Sequence, residues 1–367
     1  MLRILVIVIA VVLAAVRTAA GQSNPAAFVF PTAEVAGRFD DAAALQSALL
    51  DDAADGRLDR HSFLDAALIA GSRCTPRDLE TFRRRFEHLV AELQVSGRVV
   101  GTLADRTRAI HEFVHARVLT GGFQAESTTL HEVLDLGRFN CISSVILFRL
   151  FAERFGVPVY GVEVPGHAYA VIDDGGAGIE LQTTCPQWFA VDGDRTARQA
   201  MLRSIVGDVA SADNGQLRRL TDLGLLAVVY YNRGVDEIES GRYAESLAAN
   251  RNALTLDPAN PAARANLLAA VNNWSLTLSR RGDVRQAVSL LETGLAQAPD
   301  YELFYENLVA LHQQSLAEPG SLDERSEHAV ALRACYDRWQ SELARRGAAL
   351  KAADIARRAA ADPFLVP

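Results

Sequence analysis

Lysine is almost missing from this chain: Lys351 is the only one among 37 basic residues, and the formal net charge of the 367 residues is −8. No Lys/Arg run exceeds three residues. The electrostatic footprint that follows a phosphate backbone is therefore lacking, which excludes nucleic acid as the main partner. Cysteine is scarce as well. Cys74, Cys141, Cys185 and Cys335 form no CxxC pair and no metal-like cluster. Long apolar runs are also absent, with one exception near the start.

That exception follows Arg3 and extends from Ile4 to Val16, with the small residues Thr18, Ala19 and Ala20 behind it. It is shorter than the roughly 18–20 residues that span a bilayer. Residues 1–20 therefore read as a signal peptide cleaved near Ala20–Gly21, an uncleaved anchor being the alternative that Arg17 leaves open. No cysteine follows the run, so a lipid anchor is not expected. An exported protein, periplasmic or secreted, is the expectation, without stable membrane insertion. Export puts the cysteines in an oxidising compartment. There Cys74–Cys185 is the foremost candidate bridge, and burial as free thiols is the other reading.

With 49% hydrophobic and 22% charged residues, the chain is ordinary globular material, and its length suits two domains. Residues 33–205 divide into a helical part and a mixed part. "FLDAALIAGS" and "RDLETFRRRFEHLVAELQ" carry apolar residues at three-to-four spacing, and a further helix is expected over 104–119. A buried helix over 141–155 is stopped by Gly156 and Pro158. The period then changes: "VPVYGVEV", "HAYAVID" and "IELQTT" read as an antiparallel meander, with "DDGG" turning between the last two. The fold class expected is α+β, a core helix packed on an antiparallel sheet, followed by an all-α array.

Residues 220–318 supply that array. Gly234, Gly241, Tyr243, Ala253, Leu254 and Asp257-Pro258 stand where a tetratricopeptide repeat wants them, and Gly282, Ala287, Leu295 and Pro299 form a second unit. The units are 41 residues apart instead of the usual 34 or so, a difference of about two helical turns that would lengthen the helix around "NLLAAVNNW". A degenerate third unit starts at Tyr301. Ser321 and Glu324 form a capping box that opens the C-terminal helices, 319–367. Stacked helix pairs of this kind present a surface for a protein partner.

Cys141 lies where the buried helix begins. Unpaired N–H groups and the positive end of the helix dipole favour a thiolate there, and the same N–H groups suit an oxyanion. His167 starts a strand and is the candidate base. A two-residue Asp174-Gly175 turn pairs Asp173 with Gly176, which sets His167 opposite Gln182 and places Glu180 on the same face opposite Tyr169. Gln182 is then the preferred group to orient the imidazole, with Glu180 second. A slip of one residue would turn the return strand to the wrong face.

"LDLGRFNC" running into the core helix, "GVPVYGVEVPGHAYAVID" and a strand ending "QTT" together resemble the transglutaminase-like superfamily, over roughly residues 64–184. The resemblance implies papain-like thiol chemistry without a cofactor. Cys141 would be the nucleophile, His167 the base, and a polar residue two before a Thr the third member. The family usually has Asp or Glu at that third place, whereas this chain has Gln182 before Thr184. An amide accepts the imidazole N–H but carries no charge to set against an imidazolium. The expected activity is acyl transfer at peptide or side-chain amides, to water or to an amine. A non-catalytic binding scaffold is the alternative.

"HEFVH", His111 to His115, also matches the zincin HExxH pattern, with Glu112 as its base. The extended form fails, because Val118 and Gly121 occupy its Gly and third-His positions, which leaves Glu126, His131 and Glu132 as the candidate third ligands. The competing reading places Arg108, His111 and His115 on a solvated polar stripe, so a zinc hydrolase stands as the second alternative.

Overall fold

The computed structural model describes residues 41–71, 74–191 and 217–365, together with Thr196 and Ala200. The expected signal peptide lies outside these residues. Thirteen α-helices and six short strands occur among the described residues, so the protein is mixed α/β and mostly helical. None of these helices is long and apolar enough to cross a membrane. Chain contacts divide the protein into two bodies, one formed by residues 35–233 with 252–260 and the other by 234–251 with 261–367.

Side-chain caps set the helix starts in the first body. After α1 (Asp41–Asp52) and α2 (Phe63–Gly71) come α3 (Pro76–Val95), α4 (Leu103–Arg117), α5 (Leu130–Leu136) and α6 (Cys141–Arg154). The last four each begin behind a capping box, at Thr75, Thr102, Thr129 and Asn140. Each box gives partners to backbone N–H groups that a helix leaves open at its first turn. Two short parallel strands, β1 (Gly122–Phe123) and β2 (Arg138–Phe139), clip the chain together just before α6.

α6 is buried on nearly every side, from Ile142 through Leu147 to Ala152. It packs against α4, α5 and the sheet strands β3 (Val159–Val164) and β4 (His167–Ile172). A helix with no polar face has to be central, and here it is the mount around which the body is built. With β5 (Ile179–Leu181) and β6 (Arg218–Leu220), the strands form an antiparallel sheet in the order β5-β4-β3-β6. Gly156, at φ 63°, ends the α6 segment as expected.

The β4–β5 register differs from the expected one. Ala170 pairs with Leu181, Val171 with Glu180 and Ile172 with Ile179, which moves the return strand two residues along and places Glu180 opposite Val171 instead of Tyr169. The cause is a longer loop. Asp174 Oδ1 accepts the N–H groups of Gly176 (2.9 Å) and Gly178 (3.0 Å), closing a wider turn than the two-residue one. Because the offset is two and not one, every side chain keeps its face.

α7 (Asp222–Glu239) begins in the first body, and the contact division falls within it, between Arg233 and Gly234. α8 (Tyr243–Leu256) follows. In the second body come α9 (Pro261–Arg280), α10 (Val284–Gln297), α11 (Glu302–Ala317), α12 (Leu322–Arg345) and α13 (Ala349–Ala360). Successive helices pack against each other, and α9 also reaches α11. The 20-residue α9 is longer than the 14-residue α8 and α10, which is where the extra turns between the two sequence units go. A Cβ on Gly294 would lie 2.6 Å from the Phe304 ring, so α10 and α11 approach where only glycine fits. Ser321 and Glu324 form their capping box at the start of α12.

All four cysteines are free thiols, and Cys74 and Cys185 are both buried without a bridge. The expected Cys74–Cys185 disulfide is therefore not formed.

Candidate functional site

Asn140 caps α6 through its side chain. Its Oδ1 accepts the N–H groups of Ile142 (2.9 Å) and Ser143 (3.0 Å), while Ser143 Oγ accepts the Asn140 N–H (2.9 Å). Asn140 Nδ2 donates to Ala125 O (3.0 Å) and Thr128 Oγ1 (2.7 Å), and Ser143 Oγ donates to Ser127 O (2.7 Å). The start of α6 is thereby pinned to the 125–128 loop. Of the N–H groups at that start, the cap consumes two and leaves that of Cys141 itself.

The Cys141 thiol is half-buried at this helix start. The nearby backbone N–H groups of Ala168, Ile142 and Cys141 favour the thiolate, although that of Ile142 is also given to Asn140 Oδ1. Burial nevertheless pushes the thiol up from its ordinary value, the three N–H groups oppose this, and the Glu163 carboxylate adds to the rise. The thiolate that the helix start was expected to favour is therefore outweighed by desolvation.

Ala168 follows His167 on β4, so the N–H near the sulfur belongs to the peptide unit that His167 begins. His167 is 9% exposed, and its Nε2 lies 2.7 Å from Gln182 Oε1. Gln182 is 1% exposed, and its Nε2 donates to Glu180 Oε1 at 2.6 Å. A carboxylate only accepts, so the amide must turn its NH2 to Glu180 and its oxygen to His167. His167 Nε2 then carries the proton and Nδ1 carries the lone pair. Burial lowers the imidazole, while Gln182 and the charge of Glu180 raise it in part. With the thiol raised and the imidazole lowered, the resting pair is neutral.

Of the four residues singled out in the sequence, His167, Gln182 and Glu180 are joined by hydrogen bonds, and Cys141 lies near the backbone of the same strand at Ala168. The register shift did not separate His167 from Gln182, because Gln182 stands just beyond the end of β5 and reaches across diagonally.

His111 and His115 lie beneath the same segment, and they are not a solvated stripe: His111 is 1% exposed. Their ring centroids are 4.5 Å apart. The His111 ring faces the backbone of Gln182 and Cys185, and His115 faces that of Thr183, yet neither makes a well-aligned hydrogen bond there. Burial, with His115 as neighbour, lowers His111 to about 3, and burial lowers His115 to about 4. Glu112, the base of the zincin pattern, points elsewhere and pairs with Arg98 at 2.7 Å. Among the described residues no group of three ligating side chains gathers.

Two further links escaped the sequence. Ser144 Oγ donates to the Cys141 carbonyl (3.0 Å) and lies 2.8 Å from Thr183 Oγ1. Near enough to act on the thiol by charge, Glu163 accepts from Tyr231 at Oε1 and from Arg218 at Oε2 (2.6 Å), and Arg218 also donates to Asp257. Asn140 was readable as a cap from its place before an apolar run. Nothing in the chain pattern marks Tyr231 or Arg218, which come from distant segments.

Compared with protein-family models, curated proteins and solved structures, the chain matches none.

Proposed function

We propose that this protein is a thiol acyl-transfer enzyme of the transglutaminase-like type, acting on amide carbonyls with no cofactor. One observation supports the reading: His167, on the strand whose Ala168 N–H lies near the Cys141 sulfur, has its Nε2 2.7 Å from Gln182 Oε1. That fixes Nδ1 as the proton acceptor.

Because the resting pair is neutral, His167 acts as a general base during attack. The sulfur bonds to the substrate carbonyl carbon as the thiol proton passes to Nδ1, and the Cys141 N–H stabilises the oxyanion. Collapse breaks the C–N bond, and the amine leaves with the proton held on His167. Water then attacks the thioester and gives its proton to the same nitrogen, which releases a carboxylate and restores the thiol. An amine in place of water gives a new amide. Amide orienters are an accepted variant of the thiol triad.

The second body supplies a protein-binding surface in this proposal, on the likeness of its paired helices to tetratricopeptide units. A catalytically silent scaffold is the second reading, favoured by the raised thiol. The zinc-hydrolase reading gains nothing from the position of Glu112.

The test uses p-nitrophenyl acetate as acyl donor and intact mass as readout. A single acetyl adduct on Cys141, absent in Cys141→Ala and formed far more slowly in His167→Ala, is expected. Acylation no faster than that of a free thiol, and unchanged in His167→Ala, leaves the scaffold reading.

A further inference from the structure

His167 is held by an amide, which orients an imidazole but offers nothing against the positive charge that develops when the base takes a proton. The same amide, however, is itself held by a carboxylate. The chain of contacts runs from Glu180 Oε1 to Gln182 Nε2 at 2.6 Å, and from Gln182 Oε1 to His167 Nε2 at 2.7 Å.

Three observations distinguish Glu180 from a passing surface acid. Its backbone is fixed, because Trp188 Nε1 donates to its carbonyl at 3.1 Å and it sits in register opposite Val171. Its charge reaches the site: the Glu180 carboxylate raises His167, and it raises the neighbouring Tyr169 hydroxyl too. That charge is also unspent. Glu163 is matched by Arg218 and Asp173 by Arg219, whereas among the described residues no cation pairs with Glu180.

We infer that Glu180 is a positioning residue that works through Gln182, fixing the amide with its oxygen toward His167 and supplying the negative charge that the amide lacks. It rests on the thiol-enzyme reading for its purpose. The carboxylate draws on the amide N–H, which increases the density on Oε1 and strengthens the bond to His167 Nε2–H. The carboxylate's field also favours the imidazolium that forms when the thiol proton moves. Remove the charge and residue 180 no longer dictates which end of the amide faces the ring. Gln182 then turns either way, and half of its orientations present an NH2 to Nε2.

The test compares wild type, Glu180→Gln and the exchange variant Glu180→Gln/Gln182→Glu in the full chain. The first readout is the 15N shift of the two His167 ring nitrogens, which reports the tautomer without any turnover. Wild type should show the proton on Nε2, and Glu180→Gln should show a mixture. The exchange should restore Nε2–H, because a carboxylate at position 182 would accept that proton directly. The second readout is the pH profile of Cys141 acetylation by p-nitrophenyl acetate. Glu180→Gln should lower the rate about tenfold, with the apparent imidazole midpoint moved to lower pH, and the exchange variant should recover it. An unaltered tautomer and an unaltered pH profile in Glu180→Gln would overturn the inference. If wild type shows the Nε2 tautomer and Glu180→Gln loses it, yet Cys141 is never acylated, the positioning holds and the enzyme reading fails instead.

Discussion

Ser144 Oγ lies 2.8 Å from Thr183 Oγ1, and this pair ties the helix that Cys141 begins to the segment that carries Gln182. Ser144 has one hydroxyl proton, and it goes to the Cys141 carbonyl at 3.0 Å. Thr183 must then be the donor between the two hydroxyls. Both side chains are buried, so the variants differ in what they strand. Ser144→Ala leaves the Thr183 hydroxyl without its acceptor and should cost about 1–3 kcal/mol, while Thr183→Val removes one bond and should cost about 1 kcal/mol. Urea unfolding of both variants checks this. A larger loss in Thr183→Val would reverse the donor order.

Asn140 serves the helix start with one end and the 125–128 loop with the other. Asn140→Ala should cost about 1–2 kcal/mol in urea unfolding, since it removes the cap. Asn140→Asp keeps the acceptor but places a carboxylate beside the thiol, which raises the thiol further. Its iodoacetamide labelling should therefore require higher pH than wild type does. Labelling at lower pH in Asn140→Asp would show that the added charge does not reach the sulfur.

The balance at Cys141 has its own pH signature. Burial outweighs three N–H groups, so iodoacetamide labelling should climb with pH and reach half-maximum above the ordinary thiol value of about 8.5. A thiolate–imidazolium pair would instead give a plateau at neutral pH that His167→Ala abolishes. With a neutral pair, His167→Ala should leave the labelling midpoint in place. A neutral-pH plateau in wild type would contradict the neutral resting state.

What the sequence could say about this site followed from periodicity and turn chemistry. The apolar run after Cys141 marks the central helix because a helix without a polar face has nowhere else to go, and the period change at Val159 marks the sheet. His167 and Gln182 stayed on one face because the misjudged loop moved the register by two residues, an even offset. The loop was misjudged because Asp174 bonds two glycine N–H groups, a side-chain preference that no two-residue turn rule contains. His111 illustrates the other limit. On a helical wheel it joins Arg108 and His115 in a polar stripe, but what covers a helix face is decided by segments far along the chain, here 182–185. For the same reason the Tyr231–Glu163–Arg218 chain could not be read from sequence.

Histidines buried or half-buried in the fold give acid sensitivity with a definite sign. His111, His115 and His131 are lowered by burial to about 3, about 4 and about 4, against about 6.5 in an unfolded chain. Between those values the unfolded state binds more protons than the folded one. Stability is therefore complete above about pH 6.5 and declines as pH falls toward 4, by about 1.4 kcal/mol per pH unit for each histidine. The carboxylates lowered by their caps, such as Asp78 and Asp105, act at lower pH and leave this window to the histidines. His111→Phe keeps a ring against Phe189, which lies 5.2 Å from His111 by centroid. The variant should remove one titrating group, so the slope of unfolding free energy between about pH 5 and 6 should become shallower by about 1.4 kcal/mol per unit. Urea unfolding of both proteins at a series of pH values measures it. An unchanged slope would mean that His111 is charged in the folded protein and paired with the carbonyls of Gln182 and Cys185.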